Sequence, residues 1–174
     1  MKIFLKLAIF FVCLQSGARA MGQGHASDPE VVKAVDLNLY SGTWYDIAHN
    51  PNFFQKKCLR STAEYSVISP VSISVYNKCF KAQGKSSDIR GTATVVDPMV
   101  PGKLKVKFNF FARGDYWITA LDANYQWVVV SGPKKKSLFI LSRLAPMNQA
   151  LLQKILSDLK KQGFNTEELV YDQY

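Results

Sequence analysis

Gly42-Thr43-Trp44-Tyr45-Asp46-Ile47-Ala48-His49 opens the first strand-like stretch of the chain, and its Gly42-Thr43-Trp44 has a counterpart far downstream, where the last such stretch ends in Leu141-Ser142-Arg143. A sheet that closes on itself must bring its first strand beside its last. An arginine stacked on a tryptophan can cap that seam, an attraction worth roughly 0.5 to 2 kcal/mol. From Gly42 onward apolar residues recur with a period of two, broken at Gly, Pro, Asp and Asn, which predicts strands at 43–49, 59–67, 72–80, 88–97, 103–110, 114–121, 125–131 and 137–143. Short connections between them make the fold class all-β, an up-and-down antiparallel barrel of about eight strands. After Pro146, Leu151, Leu152, Ile155, Leu156 and Leu159 repeat at helical spacing, with Lys160 and Lys161 before Gly163. They predict one amphipathic helix packed outside the barrel.

The 174 residues carry a net charge of +9. Lys2 and Lys6 precede the apolar run Leu7–Leu14, and Ala18-Arg19-Ala20 follows, so residues 1–20 read as a cleaved secretory signal peptide. Lys2, Lys6 and Arg19 leave with it, so the 22 basic residues become 19 against 13 acids, a net +6. Cys13 follows Phe11-Val12 inside the apolar run, which argues against a lipoprotein anchor and for a soluble periplasmic or secreted product. Cys58 and Cys79 then remain, and an oxidising compartment predicts that they pair. Strand alternation does not settle whether they share a face; a bulge near 58–61 would reconcile them. Residues 21–34 read as a flexible lead-in and 35–174 as a single domain.

In a meander, successive turns alternate between the two ends. The tight turns at 68–71, 98–102 and 122–124 fall at the end where the chain enters, and the connections at 50–58, 81–87, 111–113 and 132–136 form the mouth. Simple alternation points Ala63, Tyr65 and Val67 inward, with Ile73 and Val75; Gly91, Ala93 and Val95; and Leu104, Val106 and Phe108. Later strands offer Tyr116, Ile118 and Ala120; Tyr125, Trp127 and Val129; then Phe139 and Leu141. For a barrel of this size the inward residues either fill a solid core or line a ligand space.

Leu39–Ala48, Thr62-Ala63-Glu64-Tyr65-Ser66, Gly114–Ile118, Ala120-Leu121-Asp122 with Tyr125, Ile140–Arg143 and Gln162-Gly163-Phe164 together resemble the lipocalins, in particular their bacterial outer-membrane and apolipoprotein D-like branch. The resemblance runs from about residue 36 to the C-terminus and makes 35–174 a lipocalin domain. Where the family's second motif usually opens with Thr and Asp, Leu121 here precedes Asp122, a variation the bacterial branch shares. The resemblance implies a hollow barrel, with Gly42, Trp44 and Arg143 structural and Tyr65, Val67, Ile73, Val75, Phe108, Tyr116, Ile118, Trp127 and Phe139 facing a ligand. Its implied partner is a fatty acid or lysophospholipid, carried for envelope maintenance with no cofactor. At about 0.8 kcal/mol per buried CH₂, a chain of about 16 carbons gains about 12 kcal/mol before association costs.

The mouth connections hold Lys56, Lys57, Lys134, Lys135 and Lys136, candidates for an anionic headgroup or membrane surface at roughly 1 kcal/mol per charge. Phe110 and Phe111 would dip into lipid beside them. His25 and His49 have no metal-ligand spacing and read as surface residues, and no phosphate loop, nucleophile elbow or nucleic-acid platform appears. Binding is therefore favoured over catalysis. Two alternatives stay open: a lipocalin-fold enzyme using an inward, reduced Cys58 or Cys79, and a carrier of a rigid ring such as a tetrapyrrole stacked on Trp127 and Tyr125.

Overall fold

A computed structural model describes residues 27–109 and 112–174; the signal-peptide residues, His25, Phe110 and Phe111 lie outside them. The elements in order are α1 (Leu37–Tyr40), β1 (Gly42–His49), β2 (Arg60–Ser69), β3 (Ser72–Phe80), β4 (Ser86–Val95), β5 (Lys103–Lys107), β6 (Arg113–Leu121), β7 (Trp127–Ser131), β8 (Leu138–Ser142), α2 (Gln149–Lys161) and β9 (Val170–Tyr171). Each of β1 to β8 pairs antiparallel with the next, and β8 returns to β1, so the sheet closes into an eight-stranded barrel. One short strand beyond the expected set, β9, adds to β1 through Ala48 and His49.

The core divides into two. Inside the barrel, Tyr40, Trp44, Tyr65, Ile73, Val75, Ala93, Leu104, Ile118, Val128, Val130 and Leu141 pack together. Outside it, Leu152, Ile155 and Leu159 of α2 cover Ile47, Ala48, Val129, Leu138 and Ile140. The Asn148 side chain caps α2 by accepting from Leu151 N–H at 3.0 Å, and Gly163 ends it at φ +80°. That left-handed turn is open to glycine at little steric cost.

Two bulges decide which side chains enter the barrel. In β1 the register with β8 shifts between Asp46 and Ala48, which leaves Asp46 and His49 both inward and Ile47 and Ala48 both under α2. In β6 it shifts between Ile118 and Ala120, so Ile118 and Leu121 face in while Ala120 faces out. A bulge adds one residue to one strand and reverses the alternation beyond it. Cys58 needs none: it lies in the loop before β2 and bonds to Cys79, with Cα atoms 5.3 Å apart. The expected bulge at 58–61 is absent, because β2 starts only at Arg60 and the loop position of Cys58 frees it from strand parity.

In residues 27–34, the described part of the expected lead-in, Val31 is buried and Val32 N–H donates to Ile118 O of β6 at 2.9 Å.

Candidate functional site

At the floor of the barrel the chain enters through α1, whose Asp36 side chain caps it by accepting from Asn38 N–H. Arg143 lies with its guanidinium carbon 3.8 Å from the centre of the Trp44 ring. Its N–H groups donate to the carbonyls of Thr43, Leu39, Tyr40 and Ser41 at 2.8 to 3.1 Å, and to Tyr125 O at 3.3 Å. One cation thus satisfies the carbonyls left over where α1 stops and β1 begins. Gly42 sits at φ +95°, and a Cβ there would come 3.3 Å from Arg143 Nη1, so a side chain would press on this arrangement.

Above the seam stands a chain of three phenols. Tyr40 Oη is 2.6 Å from Tyr116 Oη, which is 2.9 Å from Tyr65 Oη. Burial raises all three above the ordinary tyrosine value, most simply for Tyr116, where both neighbouring phenols add to it, so they remain protonated.

The inward wall runs from Ile73, Val75, Leu104 and Ile118, which are buried, to Val106, Phe108, Tyr116 and Phe139, which point inward yet are only half-buried. Gly91 shapes this wall: a Cβ there would lie 2.5 Å from Lys107 O and 2.7 Å from the Phe108 ring, so only glycine lets β5 and Phe108 approach β4 so closely. Of the residues read from the sequence as ligand-facing, Tyr65, Ile73, Val75, Phe108, Tyr116, Ile118 and Phe139 come together here. Two do not. Trp127 packs with the cluster under α2, because Tyr125 adopts φ +57° in the turn and β7 starts in the opposite phase, with Val128 and Val130 inward. Val67 pairs with Ile73 but is 42% exposed where the β2–β3 ladder breaks, outside both cores.

The mouth holds a cluster that sequence reasoning missed. His49, read as a surface residue, is buried at 2% exposure, and its Nδ1 lies 3.1 Å from Asp46 Oδ2 and 3.9 Å from Asp172 Oδ1. The nearer contact is out of line for a hydrogen bond and becomes an ion pair when the imidazole is protonated. Asp46 Oδ2 also accepts from Gln55 Nε2 at 2.7 Å. Burial pulls the imidazole down, but Asp46 and then Asp172 outweigh it and hold it above its ordinary value. Burial and the Asp46 charge push Asp172 up to about 7. Asp172 N–H donates to Ile47 O, its carboxylate accepts from Ser61 N–H, Gln173 N–H donates to Leu59 O and Tyr174 Oη donates to Ser61 O. The C-terminus therefore wedges between β1 and β2 where they part. Its only local signal was the β-prone pair Val170-Tyr171.

Lys56 and Lys57 are exposed at the mouth, beside Phe53 and Phe54, which are 87% and 75% exposed and meet edge to face. Lys134 and Lys136 are exposed as well, whereas Lys135 turns along the outside, its ammonium 5.6 Å from the centre of the Phe164 ring. A surface groove of about 690 Å³ lies outside the barrel beneath Ser27–Lys33, and one of about 480 Å³ lies at the rim between Gly114-Asp115 and Gly132–Ser137. Cys58 and Cys79 are joined in the disulfide, and of the two rings named for stacking a rigid ligand Tyr125 packs on the inner cluster while Trp127 packs under α2.

The Lipocalin-like domain family model matches residues 35–173. Outer membrane lipoprotein Blc of Vibrio cholerae is 36% identical over 150 residues, covering 83% of this chain and 88% of that protein. Temperature-induced lipocalin-1 of Arabidopsis thaliana is 33% identical, covering 80% of each. Among solved structures, insecticyanin from the tobacco hornworm Manduca sexta superposes with a TM-score of 0.70 at 20% identity, covering 87% of both chains. The lipoprotein name of the Vibrio relative counts against the expectation that no lipid anchor is present.

Proposed function

Because the chain belongs to the lipocalin family, whose barrels bind small hydrophobic molecules, we propose that it carries a fatty acid or lysophospholipid in its barrel, outside the cytoplasm, for the upkeep of a cell envelope. The observation that carries this reading is the gradient inside the barrel. Its floor is dry and hydrogen-bonded, while towards the mouth Val106, Phe108 and Phe139 turn apolar surface inward without fully burying it. Half-buried inward apolar side chains suit a hydrocarbon tail, which gains about 0.8 kcal/mol for each CH₂ that it buries. The disulfide supports a periplasmic or secreted address.

The rim supports delivery at an anionic membrane. Phe53 and Phe54 expose apolar rings next to Lys56 and Lys57, and each lysine near such a surface contributes about 1 kcal/mol. Phe53 and Phe54 take the part expected of Phe110 and Phe111, which lie outside the described residues.

Solvent extraction of the purified protein followed by mass spectrometry tests the cargo: a fatty acid or lysophospholipid near one per chain is the expected result, and a tetrapyrrole or a sterol in its place contradicts it.

A further inference from the structure

The three phenols at the floor hold more hydrogen-bond donors than they use. Tyr40, Tyr116 and Tyr65 form an open chain with Tyr116 in the middle, two contacts long, at 2.6 and 2.9 Å. Each hydroxyl brings one proton, so whichever way the bonds run, two protons bridge the chain and a third has no acceptor within it. None of the three hydroxyls meets another acceptor among the described residues: Arg143 and Trp44, the polar side chains beneath, are themselves donors and are committed to backbone carbonyls.

Where that proton points follows from burial. Tyr40 is fully buried against the Trp44 ring, and Tyr65 is 3% exposed beside the rings of Tyr40 and Tyr116. Tyr116 alone is half-buried, although it pairs with Leu104 and faces the lumen with it. A donor left unmatched in a dry site costs about 1 to 3 kcal/mol, which favours Tyr40 and Tyr65 both donating to Tyr116 and Tyr116 donating into the lumen.

We propose that Tyr116 is a ligand-selecting residue, which presents the trio's third hydroxyl proton to an oxygen at the deep end of the bound molecule. The ligand class is an apolar molecule whose inserted end carries a hydrogen-bond-accepting oxygen. This inference rests on the carrier reading above and adds an end-on orientation and a chemistry to it. An uncharged carbonyl suits the floor better than a carboxylate, because a carboxylate would give up its hydration in an apolar barrel for one hydroxyl. The raised phenol values keep the donor protonated across the physiological range.

The experiment is a competition on the full folded protein, in which 2-hexadecanone, hexadecane and palmitate, each delivered from cyclodextrin, displace a lipophilic fluorophore from the barrel. A net hydrogen bond of about 0.5 to 1.5 kcal/mol predicts that the wild type prefers the ketone to the hydrocarbon by about 2- to 12-fold. Tyr116→Phe abolishes that preference while hexadecane affinity stays within about twofold, an internal check that the variant is folded. Tyr40→Phe retains it, because the remaining pair of hydroxyls still has one proton more than it has contacts. If palmitate falls on Tyr116→Phe by the same factor as the ketone, the deep oxygen is a carboxyl's; if palmitate is unmoved, it is a carbonyl's, with carboxylates at the rim. A wild type that binds ketone and hydrocarbon equally, or a preference that survives in Tyr116→Phe, overturns the proposal. A wild type that binds the fluorophore and none of the three competitors overturns the acyl-carrier reading, and this proposal with it.

Discussion

At the floor of the barrel Arg143 reaches five backbone carbonyls and stacks on Trp44, whereas at the mouth Asp46, His49 and Asp172 are packed together, with Asp46 Oδ1, His49 Nδ1, Ser61 Oγ and Asn77 Oδ1 finding no hydrogen-bond partner among the described residues. One end places a single cation against acceptors supplied by its nearest neighbours in the fold. The other gathers charge from both ends of the chain into a dry corner. Buried ion pairs add little net stability and are costly to break on one side only, so the mouth is the end whose structure responds to conditions.

The largest effect is expected at the floor. Arg143→Ala strands several carbonyls that accept from a charged donor, and at about 1.5 to 3 kcal/mol for such bonds the loss should reach at least about 3 kcal/mol. In a domain of this size that is roughly a 10 °C fall in Tm by differential scanning calorimetry. A fall below about 3 °C would mean that the seam is closed by strand pairing alone.

Removing the disulfide with Cys58→Ser and Cys79→Ser frees a loop of 21 residues' separation at the mouth, and chain-entropy arguments put the loss at about 3 kcal/mol. Urea titration under non-reducing conditions reads it. A loss below about 1 kcal/mol would show that the C-terminal wedge already holds the start of β2.

The acid cluster gives a pH dependence of known sign. Asp172, held at about 7 by burial and the Asp46 charge, and His49, held above its ordinary value, both bind protons more tightly folded than unfolded. Stability contributed by such groups is complete below their unfolded values and is lost as pH rises through their folded ones. For Asp172 the loss runs from about pH 4 to about pH 7, and for His49 it starts near pH 6.5 and continues upward. Asp172→Asn removes the first part, so its Tm relative to wild type should rise between pH 5 and pH 8. A constant difference over that range contradicts the assignment.

The smallest effect on stability belongs to the rim. Phe53→Ser with Phe54→Ser should change the unfolding free energy by less than about 0.5 kcal/mol, while cosedimentation with phosphatidylglycerol vesicles falls severalfold. Unchanged cosedimentation would take the rings out of the membrane contact.

The floor was legible in the sequence because its parts announce themselves locally: the Gly42-Thr43-Trp44 entry, the terminal Arg143, and period-two strands of which 72–80 matches β3 residue for residue. The mouth was not. Asp46 and Asp172 stand at opposite ends of the domain, and no periodicity links a strand interior to a two-residue terminal strand. His49 looked exposed because it ends a strand beside a loop, yet the β1 bulge turns it inward and the C-terminus covers it. Trp127 failed for a related reason: alternation counts residues, and a left-handed Tyr125 together with the bulge at Thr119 shifts the count.

A carrier role requires that an apolar ligand sit in the barrel interior. The direct test is fluorescence titration with a lipophilic probe on the wild type and on Val106→Trp, which fills the half-buried inward wall opposite Gly114. Saturation at one probe per chain, weakened at least about tenfold in a variant whose Tm stays within about 4 °C of wild type, is the predicted result. Equal binding by both proteins would place the ligand on the outside and contradict the account.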